Sequence, residues 1–414
     1  MRGYLAFLSA VCLGAAACAG SGRQAGPAPA SYTVTVAAGP YARLETPVSF
    51  SLPDGLSGQA FRLVDESGRA VPVQPTGDGR AVFILDRLGA GETRRYRLEA
   101  VAGGPPSAAG VEARREPGAV TFLVAGRPVL RYNADETEPP RPGIDPVFKR
   151  GGYIHPVYTP AGRIVTGDYP PDHIHHHGIW AAWTNTVFEG RTPDFWNVGD
   201  RKGTVKPVAL DTTWSGPVHG GFRARHRYVD LTGPAPKDAL NETWIVHVYN
   251  VQGSGRPYRV FDLEVIQTTA SASPLILPEY RYGGVGFRGH DQWYGEKNAF
   301  FLTSEGKDRS NGHGTRARWA HVGGYVDGVL AGVGILGHPQ NFRFPEPMRI
   351  HPTEPFFNWA PSQAGDWSIE PGRPHVARYR FVVHDGGPDA AELDRLWHDY
   401  ADPPEVTVSR EVTT

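Results

Sequence analysis

The sequence predicts an all-β protein, and three observations carry that prediction. Short runs rich in Val, Tyr, Phe and Trp are separated by turn signals along most of the chain. Glycine (51) and proline (38) make up about a fifth of the 414 residues, as a protein with many turns requires. Runs such as Ser31–Ala37 alternate with a period of two, which is typical of a strand with one buried face.

The chain is long enough for two domains, and the strand-like runs divide accordingly. Residues 31–102 contain six such runs, which recur every ten to fifteen residues or so and predict a small N-terminal β domain. Residues 102–109 (AGGPPSAA) are the linker candidate. Residues 110–402 then predict a large β-sandwich domain that carries the functional site.

One predicted strand in the larger domain has chemically different side chains on its two faces. In residues 258–267, apolar residues share one face and carboxylates share the other, namely Phe261, Leu263 and Val265 against Asp262 and Glu264. This pattern predicts a strand in the middle of a sheet, with its carboxylates facing solvent or a polar groove.

The sequence predicts one helix, near the C-terminus. Asp389 and Glu392 form a capping box, and apolar residues follow at helical spacing until Pro403 and Pro404 end the run. We expect this helix to pack on a sheet edge. Residues 406–414 are then either a last short strand or a frayed tail.

The N-terminus predicts export. A positive charge at Arg2 precedes the apolar run of residues 4–17, which ends in small residues before Cys18. We expect residues 1–18 to be a signal peptide of the lipoprotein type, with an ordinary signal peptide as the alternative, and residues 19–30 to be a flexible tether. The predicted location is the periplasm or the outer membrane, with the lipid anchor as the only membrane contact.

The charge balance excludes some partners. The net charge of −1 gives no basic field for nucleic acid or for an anionic membrane surface. The two cysteines are Cys12 and Cys18, so the predicted mature chain has no disulfide and no thiolate for catalysis. The sequence also has no phosphate-binding loop, and we expect no nucleotide cofactor.

The most informative stretch is a run of histidines in residues 172–180 (DHIHHHGIW), flanked by aromatic residues. If the run is a strand, His173 and His175 point the same way, with Cβ atoms roughly 6–7 Å apart, close enough to share a divalent metal ion. His176 is then a candidate acid–base group, and Asp172 a candidate to orient one ring. The alternatives are a structural hydrogen-bonded cluster and an exposed turn with solvated histidines.

Two further polar sets are candidates for the same cleft. Residues 279–289 lack the context of a dinucleotide-binding loop, and they offer Tyr282 and Arg288 for a carboxylate or hydroxyl groups. The alternative for this set is a sheet-edge ion pair. The second set follows an apolar strand and contributes His338, Asn341, Arg343 and Asn358.

We expect His155, in the run of residues 152–158, to lie in the cleft as well. The third metal ligand should come from another segment, and the first candidates are His338, His351 and Glu279. Structural loop histidines are the alternative for both His155 and His338.

Several motifs together resemble the PmoA-like family of bacterial proteins of unknown function. They are Gly152-Tyr-Ile-His-Pro-Val-Tyr-Thr-Pro, Asp168-Tyr-Pro-x-Asp-His-x-His-His-x-Gly-Ile-Trp, Tyr282-Gly-Gly-Val-Gly-Phe-Arg-Gly, His338-Pro-x-Asn-Phe-Arg and Pro355-Phe-Phe-Asn. The resemblance implies a secreted, mutarotase-like β-sandwich associated with carbohydrates. It also implies that Arg often stands at the position of His177, which favours His173, His175 and His176 as the functional histidines. A literal monooxygenase subunit would need several membrane spans, and no apolar run of that length follows the signal.

These observations predict a carbohydrate-active enzyme, a hydrolase or lyase acting on a glycoside or a uronic-acid-containing sugar. Trp180, Trp183 or Trp196 would stack on the sugar, His176 or His338 would move protons with Tyr282, and Arg288 or Arg343 would bind a carboxylate or hydroxyl. Two alternatives are a non-catalytic glycan-binding lipoprotein and a metal-dependent oxidoreductase, which a further carboxylate or His facing the pair would favour.

Overall fold

A computed structural model describes residues 31–56, 58–101 and 110–410. The predicted signal peptide (residues 1–18), the tether (19–30) and the linker (102–109) lie outside the described residues. Twenty-six strands and one α-helix account for most of the regular structure in the described part.

The strands in chain order are β1 (Ser31–Ala37), β2 (Arg43–Ser51), β3 (Phe61–Asp65), β4 (Ala70–Val71), β5 (Val73–Pro75), β6 (Arg80–Leu88), β7 (Thr93–Ala100), β8 (Val111–Glu116), β9 (Ala119–Val124), β10 (Arg127–Asn133), β11 (Tyr153–Val157), β12 (Ile179–Ala182), β13 (Gly203–Trp214), β14 (His219–Asp230), β15 (Lys237–Tyr249), β16 (Tyr258–Thr269), β17 (Leu275–Leu277), β18 (Gly284–Arg288), β19 (Ala299–Thr303), β20 (Trp319–Val326), β21 (Val329–Gly337), β22 (Met348–Ile350), β23 (Phe356–Trp359), β24 (Trp367–Ile369), β25 (His375–Asp385) and β26 (Glu405–Arg410). The helix α1 is Ala390–Ala401.

Two eight-stranded sheets form the main sandwich, and the predicted all-β antiparallel fold is confirmed. We call the sheet with order β22-β23-β18-β12-β11-β10-β9-β8 the site sheet. The second sheet has the order β13-β14-β15-β16-β25-β21-β20-β19. Their facing sides share one continuous apolar core, to which the site sheet contributes Phe122 and Ile179 and the second sheet Trp244 and Phe381. Burying this surface is the main stabilising contribution to the sandwich.

Strand β16 has the predicted division of faces. Phe261, Leu263 and Val265 lie in the shared core. On the outer face, the Asp262 carboxylate accepts from Arg380 at 2.7 Å, and Glu264 pairs with a second arginine of β25. The carboxylates therefore face a polar outer surface, where ion pairs between neighbouring strands satisfy them.

Two smaller sheets lie at the N-terminal end of the described chain. They have the orders β26-β1-β7-β3-β4 and β2-β6-β5, and a separate apolar cluster fills the space between them. Strand β26 pairs along β1 from Tyr32 to Ala37. Residues 405–410 are therefore a strand, and the chain returns to the N-terminal sheet after the sandwich is complete.

Helix α1 begins where the sequence predicts, because the Asp389 side chain accepts from the Glu392 backbone N–H at 3.1 Å. Its apolar residues Leu393, Leu396 and Trp397 pack on the outer face of the second sheet, against Trp319 and other apolar residues of that face. The predicted packing on a sheet edge is therefore wrong; the sheet has an apolar outer patch that only a covering element can bury. No helix in the described residues is long and apolar enough to cross a membrane.

The cap at Asp389 gives a direct stability prediction. Asp389→Ala should lower the free energy of unfolding by about 1 kcal/mol, because the first-turn N–H groups of α1 lose their acceptor. Urea denaturation followed by circular dichroism measures the change. Glu66→Ala, which removes an exposed carboxylate in a turn, is the matched control and should change stability little. Equal effects of the two substitutions would contradict the capping role.

Candidate functional site

The histidine run forms a loop, not the strand on which the expected H-x-H geometry depends. The His173 backbone N–H donates to the Pro170 carbonyl at 3.2 Å, and the His176 N–H donates to the His173 carbonyl at 2.8 Å. These tight turns bring the rings of His173 and His176 together at 4.8 Å, nearly parallel. The assumed H-x-H geometry of a strand is therefore absent, because Pro170 and Pro171 favour turns ahead of β12.

Strand alternation places the next residues on the side of the site sheet that faces away from the shared core. In β12, Ile179 and Ala181 point into that core, and Trp180 points outward. In β18, Phe287 points inward and Arg288 lies on the opposite face, as Phe356 does in β23. The outward face of three adjacent strands thus carries the site.

The rings of Trp180 and Trp196 approach the backbone at residue 286 so closely that only a glycine fits there without displacing them. A Cβ atom added at Gly286 would lie 3.0 Å from the rings of both Trp180 and Trp196. A glycine at this position therefore allows close approach of the strand to its neighbour. The neighbour is the aromatic layer beneath the histidines.

The histidine loop closes one side of a cavity of about 360 Å³. Loops that precede β12, β18 and β23 supply most of its walls. The lining residues are Asp172, His173, His175, His176, Trp196, Asn197, Arg281, Tyr282, Arg349, His351 and Phe356. A cavity of this size and mixed polarity is typical of small-molecule sites.

Arg288 contacts side chains from several of the segments that line this cavity. Its side chain is fully buried, and its guanidinium donates to the Glu354 carboxylate at 2.5 Å and to Nδ1 of His176 at 3.2 Å. A third contact reaches the Asp172 carboxylate at 3.4 Å, and the Tyr294 ring covers the guanidinium at 4.6 Å. The predicted role of Arg288 at the site therefore has a geometric basis, although both of its terminal nitrogens already face protein groups and its Nε is buried without a partner.

Three side chains at one end of the cavity have the arrangement of metal ligands. Ligand atoms of Asp172, His173 and Glu354 all lie within 4.8 Å of one another. Nδ1 of His173 is 3.3 Å from both carboxylates, but it is buried without a hydrogen bond. A buried imidazole nitrogen that faces two carboxylates is a donor set suited to a divalent cation.

This set differs from the predicted one. His173 belongs to it, but His175 does not; the two rings meet edge to face, with centroids 5.7 Å apart and planes at 68°. Of the three predicted third ligands, His351 lies beside the set, with Nε2 3.3 Å from Glu354. His338 and Glu279 do not line the cavity.

His176 lies in the cavity wall but is poorly placed as a base. Its Nδ1 faces the Arg288 guanidinium, and its Nε2 faces the Trp196 indole N–H at 3.4 Å. Burial lowers the pKa of His176 well below its usual value. With both ring nitrogens facing N–H groups, His176 orients Arg288 and the aromatic layer, which corrects the predicted acid–base role.

His175 and Tyr282 remain as groups with atoms free for proton transfer. Burial, and then the neighbouring His173, lower the pKa of His175 to about 4, so the ring is neutral at pH 7. Burial raises the pKa of Tyr282, which keeps its phenol protonated, and the Asn197 amide donates to it at 3.4 Å. One unprotonated base and one protonated acid therefore face the same cavity.

Four predicted residues lie outside the cavity, where they satisfy backbone groups. His338 packs on Tyr400 of α1 at 5.0 Å. Asn341 and Arg343 hold neighbouring loops through bonds to the carbonyl oxygens of Arg378 and Pro361. Asn358 is fully buried and bonds to Gly283 and Val285.

Three more predicted residues lie close to the site but do not line it. Trp180 packs under His176 at 4.9 Å, and it is almost fully buried. Trp183 is also buried and donates to Gln267. His155 bonds to Thr166. The two tryptophans are therefore too deep for the predicted sugar stacking. Of the seven polar residues expected for the most part to line one cleft, the lining includes His175, His176 and Tyr282, whereas His155, Arg288, His338 and Arg343 are not part of it.

The remaining histidine of the run, His177, points away from the cavity. Its Nδ1 lies 2.7 Å from the Asp168 carboxylate, which also accepts from Tyr153 at 3.0 Å. This buried network anchors the loop beneath the site.

Sequence reasoning missed Glu354, Asn197 and the arginines Arg281 and Arg349. Glu354 had the clearest signal, since it lies directly between His351 and the Pro355-Phe-Phe-Asn motif. His351 Nδ1 accepts from the Glu354 backbone N–H at 3.1 Å, and this local turn directs the carboxylate inward. The pairing of β23 with β18, and of β18 with β12, brings that turn beside the histidine loop.

Comparison with known proteins adds a family but no activity. A model for a family of unknown function, DUF6807, matches residues 119–398, and the chain belongs to this family. The expectation of an uncharacterised family is confirmed at that level, whereas the PmoA-like label is not the one this family carries. No curated protein matches the sequence.

Solved structures resemble the chain only distantly. One is an α-mannosidase from Enterococcus faecalis V583, with a TM-score of 0.42, and another is a protein in glycosyl hydrolase family 38 from Enterococcus faecalis, with a TM-score of 0.44. Each is 9% identical and is matched over 92% of this chain, which spans about half of their length, 46% and 47%. Likeness at this level carries no argument about activity.

The low pKa of His175 predicts how stability depends on pH. The unfolded chain binds a proton at this residue below about pH 6.5, whereas the folded protein resists it down to about pH 4. The contribution of His175 is therefore fully present above about pH 6.5 and is lost as the pH falls toward 4. His175→Gln should reduce the slope of unfolding free energy against pH in this window by up to about 1.4 kcal/mol per pH unit. Denaturation at several pH values measures it, and an unchanged slope would show that the ring is solvated.

Proposed function

We propose that the histidine-lined cavity is the active site of a carbohydrate-active enzyme, a glycoside hydrolase or lyase, that uses a divalent metal ion. The observation that carries this proposal is the buried, unbonded Nδ1 of His173, which lies 3.3 Å from both Asp172 and Glu354. Nitrogen and carboxylate donors in this arrangement suit zinc or manganese.

The formal charges of the cluster favour a cation. At salt-bridge distance the carboxylates of Asp172 and Glu354 share the single guanidinium of Arg288, so one carboxylate of the pair has no cation of its own in contact. Glu354 is nearly buried, and charges removed from water need a partner. Arg288 and His351 hold this carboxylate in place, as outer partners of metal ligands commonly do.

The groups around this end of the cavity supply proton transfer. His175 is unprotonated at neutral pH and has no hydrogen bond within the described residues, so it can accept a proton from water or substrate. Tyr282 keeps its proton and can donate it to a leaving oxygen. A bound divalent ion would supply Lewis-acid stabilisation of a developing negative charge.

The aromatic residues that line the cavity suit the carbon face of a sugar. Trp196 and Phe356 meet edge to face at 5.9 Å, and Tyr282 lies 5.2 Å from Trp196. Tyr282 is the most exposed of the three, and its ring takes the stacking role predicted for the buried tryptophans. Aromatic faces next to polar donors and metal ligands are the usual elements of a sugar site.

A metal-dependent oxidoreductase is the second candidate, and Glu354 favours it. A further carboxylate that faces the histidines is the feature expected of such an enzyme, and Glu354 is a carboxylate in that position. The bound metal distinguishes the two candidates, because zinc has no redox chemistry and iron or copper does.

The ligand set makes a prediction about metal binding. In calorimetric titrations with Mn²⁺ and Zn²⁺, Asp172→Asn and Glu354→Gln should each weaken binding by at least about tenfold, since even outer partners of metal ligands contribute that much. Saturating metal should also raise the melting temperature of the unmodified protein.

Glu279→Gln is the matched control, because it makes the same change at an exposed carboxylate outside the cavity. It should leave metal affinity unchanged. Asp172→Asn guards against misfolding, since Asp172 is exposed and Asn keeps an oxygen that can accept from Arg288 and Tyr294. Unaltered affinity in both ligand variants would refute the metal site, and metal binding without turnover of any glycan would favour the non-catalytic alternative.

We also propose that the protein acts outside the cytoplasm, held by a lipid on Cys18, as the apolar run and the small residues before this cysteine favour. Mass spectrometry of the mature N-terminus should find acylated Cys18 in the unmodified protein. Cys18→Ser should abolish the modification. An intact Met1, or cleavage beyond residue 18, would contradict the proposal.

A further inference from the structure

Two arginines at the cavity wall have no carboxylate partner. Arg281 and Arg349 both line the cavity, and neither forms a salt bridge with any of the described residues. Most other arginines near the site are bound, as Arg288 is to Glu354. Two free guanidinium groups on one cavity wall are therefore available to a ligand.

The positions of these side chains are set by contacts that leave their charge unbalanced. Arg281 lies over the rings of Tyr280 and Tyr282 at 5.8 and 5.5 Å. The Arg349 guanidinium is 3.4 Å from Nε2 of His313. Aromatic and imidazole contacts orient a guanidinium and leave its fork of N–H donors open.

The two cations are close enough to repel each other. Burial, and then the charge of Arg281, lower the pKa of Arg349, whereas the nearby Glu354 opposes this effect. Two like charges on one cavity wall cost free energy, and an anion between them removes that cost. Because Glu354 is one of the proposed metal ligands, Arg349 also lies near the proposed metal site.

We propose that Arg281 and Arg349 bind the carboxylate of a uronic acid and thereby select anionic sugars over neutral ones. The inference rests on the proposed function, because it assigns the substrate class of the same cavity. The planar guanidinium fork matches the two oxygens of a carboxylate, and the sugar ring would then lie along Tyr282.

The experiment compares glucuronate, glucose and glucose 6-phosphate as ligands of the metal-loaded full-length protein. Dissociation constants come from NMR chemical-shift titrations, with metal content measured in every sample. The unmodified protein should bind glucuronate more tightly than either other sugar. Arg281→Gln and Arg349→Gln should each weaken glucuronate binding roughly tenfold, the usual effect of losing a charge-assisted hydrogen bond, and leave glucose binding unchanged.

Arg373→Gln, at an exposed arginine in the turn before β25, is the matched control and should change neither affinity. Equal weakening of glucuronate and glucose, no weakening, or no binding of glucuronate overturns the inference. Tighter binding of glucose 6-phosphate overturns the assignment to a carboxylate. If the variants keep their metal while glucuronate selectivity fails, the metal site stands and only the substrate class is wrong.

Discussion

The buried guanidinium of Arg288 is the contact on which the candidate site depends. It leaves β18 on the outward face and reaches Glu354 from the loop before β23 and His176 from the loop before β12. Three segments that are far apart in the sequence are thus fixed around one charge. Removing that charge would leave Glu354 buried without compensation, which is far more costly than breaking an exposed ion pair.

The sandwich explains why these segments meet. Adjacent strands β12, β18 and β23 pair in register, so their outward residues lie side by side, and their inward residues join the shared core. The core fixes the strands, and the strands fix the positions of Trp180, Gly286 and Phe356 under the histidine loop. The loop then needs only short turns to present Asp172, His173 and His175 to the cavity. Function is therefore concentrated in loops held by a rigid sheet.

Much of the fold follows from local sequence signals. Period-two alternation identified β1 and β16, and the Asp389 capping box identified α1, because each signal depends on neighbouring residues alone.

The site was only partly predictable. The histidine run and Tyr282 were found from residue type, but strand geometry was assigned to a segment that two prolines turn into a loop. Glu354 and Arg349 reach the cavity only because β22, β23 and β18 pair with one another. His338 and Arg343 are residues of the same types as those that line the cavity, yet they pack and hold loops elsewhere. Long-range strand pairing decides which polar residues converge, and no local pattern encodes it.

The central claim is that Asp172, His173 and Glu354 hold a divalent cation next to Arg288. The most direct test is a crystal structure of the Mn²⁺-loaded protein with anomalous data. We expect an anomalous peak roughly 2.0–2.3 Å from Nδ1 of His173 and from one oxygen of each carboxylate. A structure without such a peak at saturating Mn²⁺, with Arg288 and His173 sharing the Glu354 carboxylate alone, would contradict the account.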